Sequence, residues 1–399
     1  MSDMNFFTER DQQFRQSVPD EFYRHLFHEF SSGSRCTIVI GPDGAGKTTL
    51  LLQIAEYHQE IPADLSLFVS AGDLWLREES LFEIAELFYL NGGRYLFVDD
   101  IHLYADYPGQ VSKIVDELTD LTLIITSSIP PQIDKNITDD VVCKYLPPLS
   151  FREYLGYRES IRIDSKKLGE IISFQKEVSE GIAGLFQPIP PFRRYLAGGT
   201  LLAPKHKATT YPGTRYGEQR VRQFIECTLP AAEGIDFRSV TKIEQLLALI
   251  IRQGQFKPNI SNLARHLDVS RDSIYAWLRI LEECGLIHRL WLRRPGHTRQ
   301  RKPYLILAGD PALLQFAGNQ PDDQTLRVTF LVSQLKNAGF TCSLHQTGAI
   351  YLNGMTIATG DRNEPIPDVS DGSHPLVAAD NLEVGEKGKI PLWMFGLLY

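Results

Sequence analysis

The sequence predicts an α/β fold: a parallel sheet with helices on both faces, then a winged-helix segment, then a small α+β domain. Three observations predict it. Over the first 150 residues, short apolar runs alternate with stretches of helical spacing, the pattern of a parallel sheet covered on both sides. A glycine-rich turn separates the first apolar run from the first helical stretch. Charge is also segregated. Residues 235–305 hold 13 Lys and Arg against 6 Asp and Glu, a net +7, whereas residues 306–399 hold 5 against 10. A basic block therefore stands between two acidic ones.

Composition narrows the function classes. Of the 399 residues, 43% are hydrophobic and 23% charged, enough apolar material for packed cores and too little charge for general disorder. The length suggests two or three domains. The net charge of -8 excludes a wholly basic, DNA-coating protein. No stretch approaches the roughly 18 uncharged apolar residues of a membrane helix, and Met1–Arg10 carries acids without the apolar core of a secretory signal. The five cysteines (Cys36, Cys143, Cys227, Cys284 and Cys342) are scattered without a C-x-x-C pair, which indicates reduced thiols in a cytoplasmic protein.

The elements follow in order. Thr37–Ile40 reads as a strand closed by Gly41, and Thr48–His58 as a helix. Leu65–Val69 is a second strand, Leu81–Leu90 a helix ended by Asn91-Gly92-Gly93, and Tyr95–Val98 a third strand running into Asp99-Asp100. Val111–Leu118 is helical, Leu121–Ile125 a fourth strand, and Val141–Leu146 a fifth. The run Pro188-Ile-Pro-Pro191 is expected to break a helix and form a hinge, and 203–214 to be an exposed loop. Four regions are expected: a core over 1–150, a helical lid or linker over 151–234, a winged helix over 235–307 and an α+β domain over 308–399.

Gly41-Pro42-Asp43-Gly44-Ala45-Gly46-Lys47-Thr48 matches G-x-x-x-x-G-K-[ST]. Its glycines let successive backbone N–H groups wrap a polyphosphate at a helix N-terminus, where the helix dipole favours anions. Lys47 reaches the outer phosphates, the Thr48 hydroxyl binds Mg²⁺, and Thr49 continues the cradle. Such a match arises by chance in about 1–2% of chains of this length, and the flanking strand and helix are those the mechanism requires. The core is thus expected to be a P-loop NTPase sheet with ATP and Mg²⁺ as cofactors. Asp99, at a strand end facing the ligand crevice, is placed to hold Mg²⁺. Asp100 is placed to orient or deprotonate the attacking water, although many such ATPases carry the longer Glu there. The fourth strand ends in Thr126-Ser127-Ser128, and Thr126 and Ser128 are equally suited to sense the γ-phosphate.

In the basic block, Ser261–Leu267 and Arg271–Glu283 read as two helices around the turn Asp268-Val269-Ser270, with Ser270 as N-cap. Ile274, Leu278 and Leu281 share one face. Leu286–Leu292 alternates like a strand, Arg293–Lys302 forms a wing and Tyr304–Leu307 returns, a winged helix by pattern. Residues 289–302 hold six Lys and Arg and no acid. Arg271, Arg279, Arg293, Arg294, Arg299, Arg301 and Lys302 are the candidate nucleic-acid contacts. Docking to a protein is the alternative use of such a module.

These residues bring a family into view. Gly41–Leu50, Val98–His102, Thr126–Ser128, Leu149-Ser-Phe-Arg-Glu-Tyr-Leu155, Tyr195–Gly199, the late helix-turn-helix and Ile390-Pro-Leu-Trp-Met-Phe-Gly-Leu-Leu-Tyr399 occur in this order. The chain resembles the prokaryotic AAA-type predicted ATPases that carry a winged-helix segment and a C-terminal domain of unknown function. The resemblance covers nearly the whole chain and implies an AAA-type core over 1–150. Arginines that the family often carries shortly before the Leu149–Leu155 string are replaced by Asp139-Asp140, leaving Arg152, Arg193 and Arg194 as substitutes. Some members end in a nuclease-like fold with an Asp and a Glu-x-Lys. The tail has Asp361, Asp368, Asp371 and Asp380 but no [DE]-x-K, so a degenerate nuclease-like domain is expected. The expected function is an ATP-binding and ATP-hydrolysing switch or motor, monomeric or homo-oligomeric, acting on a DNA or protein partner away from membranes. The alternative is a hydrolysis-poor, nucleotide-gated regulator.

Overall fold

A computed structural model describes the chain apart from residues 1–3, 17, 78, 133–138, 201–217, 219–220, 233–234, 294–301 and 316–320. Two compact units form. The first comprises Met1–Pro147 and Val221–Val240, the second Pro148–Arg220 and Thr241–Tyr399. The region expected as one lid, 151–234, is therefore shared between them.

In the first unit, β1 (Cys36–Ile40), β2 (Ser66–Ser70), β3 (Tyr95–Asp99), β4 (Thr122–Ser127) and β5 (Val141–Tyr145) form one sheet. Its order is β2-β3-β4-β1-β5 with every neighbouring pair parallel. Successive strand residues alternate between two cores, as the pleat requires. Ile38, Val69, Val98 and Ile125 join a core with Phe7 of α1 (Met4–Arg15), Ile84 of α4 (Leu81–Leu90) and Ile114 of α5 (Tyr107–Glu117). Val39, Phe68, Phe97 and Ile124 face Leu26 of α2 (His25–His28) and Leu50, Leu51 and Ile54 of α3 (Lys47–Tyr57). Burial on both faces is why the strands read as unbroken apolar runs. Strand β1, between β4 and the edge strand β5, ends at Ile40, level with Ser127 of β4 and Tyr145 of β5. The Gly41–Gly46 loop thus leaves the carboxyl edge of the sheet beside the ends of β3 and β4, where ligands bind in open α/β sheets.

The second unit begins with α6 (Phe151–Glu159), α7 (Leu168–Ser173), α8 (Gln175–Ala183) and α9 (Ile189–Arg194). The proline run expected as a hinge instead opens α9. Prolines in a first turn lack only N–H groups that have no intrahelical partner, so they start a helix rather than break it. Helix α10 (Phe237–Gln253) contains the division between the units. Then come α11 (Ile260–His266), α12 (Arg271–Glu283) and an antiparallel pair of β6 (Ile287–Leu290) with β7 (Leu305–Ala308). Phe256 adds an antiparallel bridge at Ile306. Asn259 and Ser270 cap α11 and α12 through the N–H groups of Asn262 and Ser273. After α13 (Pro311–Leu314) and α14 (Asp323–Asn337) comes a mixed sheet of β8 (Ser343–Leu344), β9 (Ile350–Leu352), β10 (Met355–Asp361), β11 (His374–Asp380) and β12 (Lys389–Pro391). Strands β8, β9 and β10 are antiparallel, and β10, β11 and β12 are parallel. Phe151, Phe192, Tyr195, Phe330, Trp393 and Phe395 anchor its core.

Candidate nucleotide site

The Gly41–Thr48 loop has the backbone that its glycines allow. Gly44 and Gly46 adopt φ of 86° and 90°, values that residues with a Cβ rarely take. Gly41 is fixed by proximity, since a Cβ there would lie 2.3 Å from the Leu146 carbonyl oxygen. Gly46 caps α3, with no side chain hydrogen-bonded to the cap and no acid in the first turn. The positive end of α3 is thus not opposed by an acid of its own first turn, an arrangement that suits an anion.

Lys47 is 5% exposed. Its Nζ donates to the carbonyls of Gly41 at 3.0 Å and Pro42 at 3.3 Å, and to Ser128 Oγ at 2.7 Å. The Asp43 carboxylate lies 3.9 Å away. Thr48 Oγ1 donates to Asp99 Oδ2 at 2.7 Å, and Thr126 Oγ1 donates to Asp99 Oδ1 at 2.6 Å. The Asp100 N–H donates to Thr126 Oγ1 at 2.8 Å. Asp100 has φ 51°, a left-handed conformation that Asp tolerates better than most residues. Burial pushes the Asp99 carboxyl up to about 6, and the Asp100 charge adds to it; the Thr126 and Thr48 hydroxyls and the Lys47 charge oppose. A buried carboxylate in this state is poised to gain from a cation.

Thr48 and Asp99 are the two groups that would hold Mg²⁺. A hydroxyl and a buried carboxylate joined at 2.7 Å are oxygen donors of the kind magnesium takes, its remaining ligands then coming from phosphates and water.

The structure therefore brings Gly41, Pro42, Asp43, Gly44, Ala45, Gly46, Lys47, Thr48, Asp99, Asp100, Thr126 and Ser128 to one end of the sheet; Thr49 follows in the first turn of α3. The two sensor candidates part company: Thr126 holds Asp99, while Ser128 links Lys47 to Asp43. Three further participants were not among the expected site residues. Buried Arg24 donates to the carbonyls of Ala45 and, at 2.7 Å, Pro147. His102 Nδ1 accepts the Ser128 N–H at 3.4 Å, and burial pushes its imidazole down against the opposing charge of Asp100. Thr228 Oγ1 donates to Asp43 Oδ2 at 2.9 Å.

The arginines proposed as substitutes serve the second unit. Arg152 Nε donates to the Tyr399 carbonyl at 2.8 Å, Arg193 pairs with Asp380 at 3.0 Å, and Arg194 pairs with Glu159 at 2.9 Å. The candidate nucleic-acid contacts divide. Arg271, Arg279 and Lys302 are exposed, with Arg279 3.8 Å from Glu283. Arg293 pairs with Asp371 and lies 3.7 Å above the Tyr351 ring, so it is committed to the fold. Arg294, Arg299 and Arg301 lie outside the described residues. Among the described residues, no helix is long and apolar enough to cross a membrane.

The fold and loop define a P-loop NTPase sheet, and residues 33–155 match the family profile described as AAA domain. Solved structures similar to the chain include domain III of the Thermotoga maritima replication initiation protein DnaA (18% identity, 45% of this chain and 95% of that one, TM-score 0.26). AMPPCP-bound DnaA from Aquifex aeolicus is 12% identical over 69% of this chain and 86% of that one, with a TM-score of 0.27. PCH-2 of C. elegans is 16% identical over 43% of this chain and 47% of that one, with a TM-score of 0.25. No curated protein matches the chain.

Proposed function

We propose that the protein binds and hydrolyses Mg²⁺-bound ATP at the Gly41–Thr48 loop. In this reading it uses the nucleotide state to reposition a winged helix, α11 to β7, with its C-terminal sheet against a DNA or protein partner. One observation carries the reading: a buried lysine, a helix start without a side-chain cap and the Thr48–Asp99–Thr126 hydrogen-bond chain converge at the carboxyl edge of one parallel sheet.

The chemistry is positioning and electrostatics. Lys47 exchanges its present acceptors for phosphate oxygens. The first-turn N–H groups of α3 bind the same anion. Bound magnesium supplies charge neutralisation between the phosphates. Thr126 holds the Asp99 carboxylate in place, and the Thr126–Asp100 hydrogen bond fixes the backbone from which the Asp100 carboxylate meets the attacking water. On the other unit, Glu282 binds Arg289 at 2.6 Å and Lys336 at 2.9 Å, joining α12 to β6 and α14. That ion cluster supports a winged helix that moves as one body with the C-terminal sheet.

Steady-state ATP turnover, with and without duplex DNA, tests the proposal. Wild-type turnover that Lys47→Ala abolishes is expected, and Asp100→Asn should lower kcat by about 10²-fold with little change in nucleotide affinity. Tight binding without turnover under either condition selects the nucleotide-gated regulator, a reading favoured by the short Asp100 and by the commitment of Arg152, Arg193 and Arg194 to the fold.

A further inference from the structure

The phosphate cradle already has an anion beside it. Asp43, inside the glycine loop, accepts a hydrogen bond from Ser128 Oγ at 2.6 Å on one carboxylate oxygen and from Thr228 Oγ1 at 2.9 Å on the other. Ser128 in turn accepts from Lys47 at 2.7 Å. The side chain of Asp43 is 11% exposed, and Ser128 and Thr228 are buried. Thr228 does not belong to the sheet. It ends a wide helical turn, Phe224–Thr228, followed at once by the tighter turn Leu229–Ala231. Such π-type turns are irregular insertions that recur at functional sites. The turn belongs to Val221–Val240, the segment that returns to the first unit from a distant part of the chain and ends where α10 crosses the division.

We propose that Asp43 is a resident anion of the cradle and Thr228 its reporter. An incoming polyphosphate takes Lys47 and drives the Asp43 carboxylate off Ser128 and Thr228, so that the turn Phe224–Thr228 shifts when nucleotide binds. The forces are elementary. A polyphosphate and Asp43 are like charges in a largely desolvated site, where Coulomb interactions are stronger than in water. Both compete for the same cation. Once the carboxylate leaves, the Thr228 hydroxyl loses its acceptor and must find another. The inference rests on the reading of this loop as a phosphate site.

The neighbouring residue provides the probe. Cys227 and Cys143 are exposed free thiols, while Cys36, Cys284 and Cys342 are buried. Maleimide labelling of the full chain, resolved by mass spectrometry, gives the Cys227 rate with Cys143 as internal reference. Saturating Mg²⁺-ADP is expected to change the Cys227-to-Cys143 ratio, and Thr228→Val should reach the nucleotide-bound ratio without nucleotide. Asp43→Asn removes the competing charge, so its ADP affinity, read with a fluorescent ADP analogue, should rise several-fold; loss of a merely structural contact would lower it. ADP that binds wild type without altering the ratio, or binds Asp43→Asn more weakly, overturns the latch alone. A wild-type chain that binds no ADP overturns both the latch and the phosphate-site reading.

Discussion

Lys47 sits in a nearly dry place where two carbonyls and a serine hydroxyl surround its Nζ. Buried polar groups persist only when they are bonded. His288 is the contrasting case. It is buried in the second unit with an unpaired Nε2, and burial pushes its imidazole down to about 3, helped by the charge of Lys336. The unfolded chain binds a proton there below the ordinary value of 6.5 and the folded chain does not. The stability this residue allows is thus complete above 6.5 and is lost progressively as pH falls from there toward about 3. His288→Leu is expected to flatten the fall of Tm with acidification across that window, measured by calorimetry. An unchanged slope would remove His288 as the acid-sensitive group. At this scale the motif residues were legible because phosphate chemistry demands fixed types at fixed spacing. Arg24 and Thr228 were not, because each reaches the loop through tertiary folding from a segment with no motif of its own; His102 lay within the Val98–His102 string, but nothing in its residue type gave it a role at the loop.

Helix α6 shows how local and distant signals combine. Ser150 accepts from the Glu153 N–H at 3.1 Å while Glu153 returns a bond to the Ser150 N–H, a reciprocal cap. The same Ser150 hydroxyl donates to the Tyr399 carbonyl at 2.8 Å. Ser150→Ala should therefore cost about 1–2 kcal/mol in a denaturant titration, the upper part of the range for lost caps. Gly396 meets the same helix: a Cβ there would sit 2.4 Å from Phe151 Cβ. Gly396→Ala should destabilise by about 1–3 kcal/mol, as overpacked cores do. Two of the strings that carry the resemblance, Leu149–Leu155 and Ile390–Tyr399, are thus packing partners. Helix α12 was read to its residue limits because Ser270 and the Ile274–Leu278–Leu281 stripe agree. The proline run opens α9 because proline's missing N–H matters in a helix interior and not in a first turn.

On the whole-molecule scale, charge segregation located the basic segment, and strand–helix alternation located the P-loop sheet. The return of Val221–Val240 to the first unit was not legible, because discontinuous packing leaves no mark in local composition. The partner remains a matter of electrostatics that salt can separate. With duplex DNA as partner, Arg299→Ala combined with Arg301→Ala should reduce the slope of log K against log salt by about 2, roughly one per phosphate contact. An unchanged slope would mean that these two arginines do not contact phosphates. The central claim is narrower and more directly tested by calorimetric titration of ATP in Mg²⁺ buffer into the full chain and into Lys47→Ala of matched Tm. The account predicts one saturable site in the wild type and its loss in the variant. Equal binding by both proteins, or none by the wild type, would contradict it.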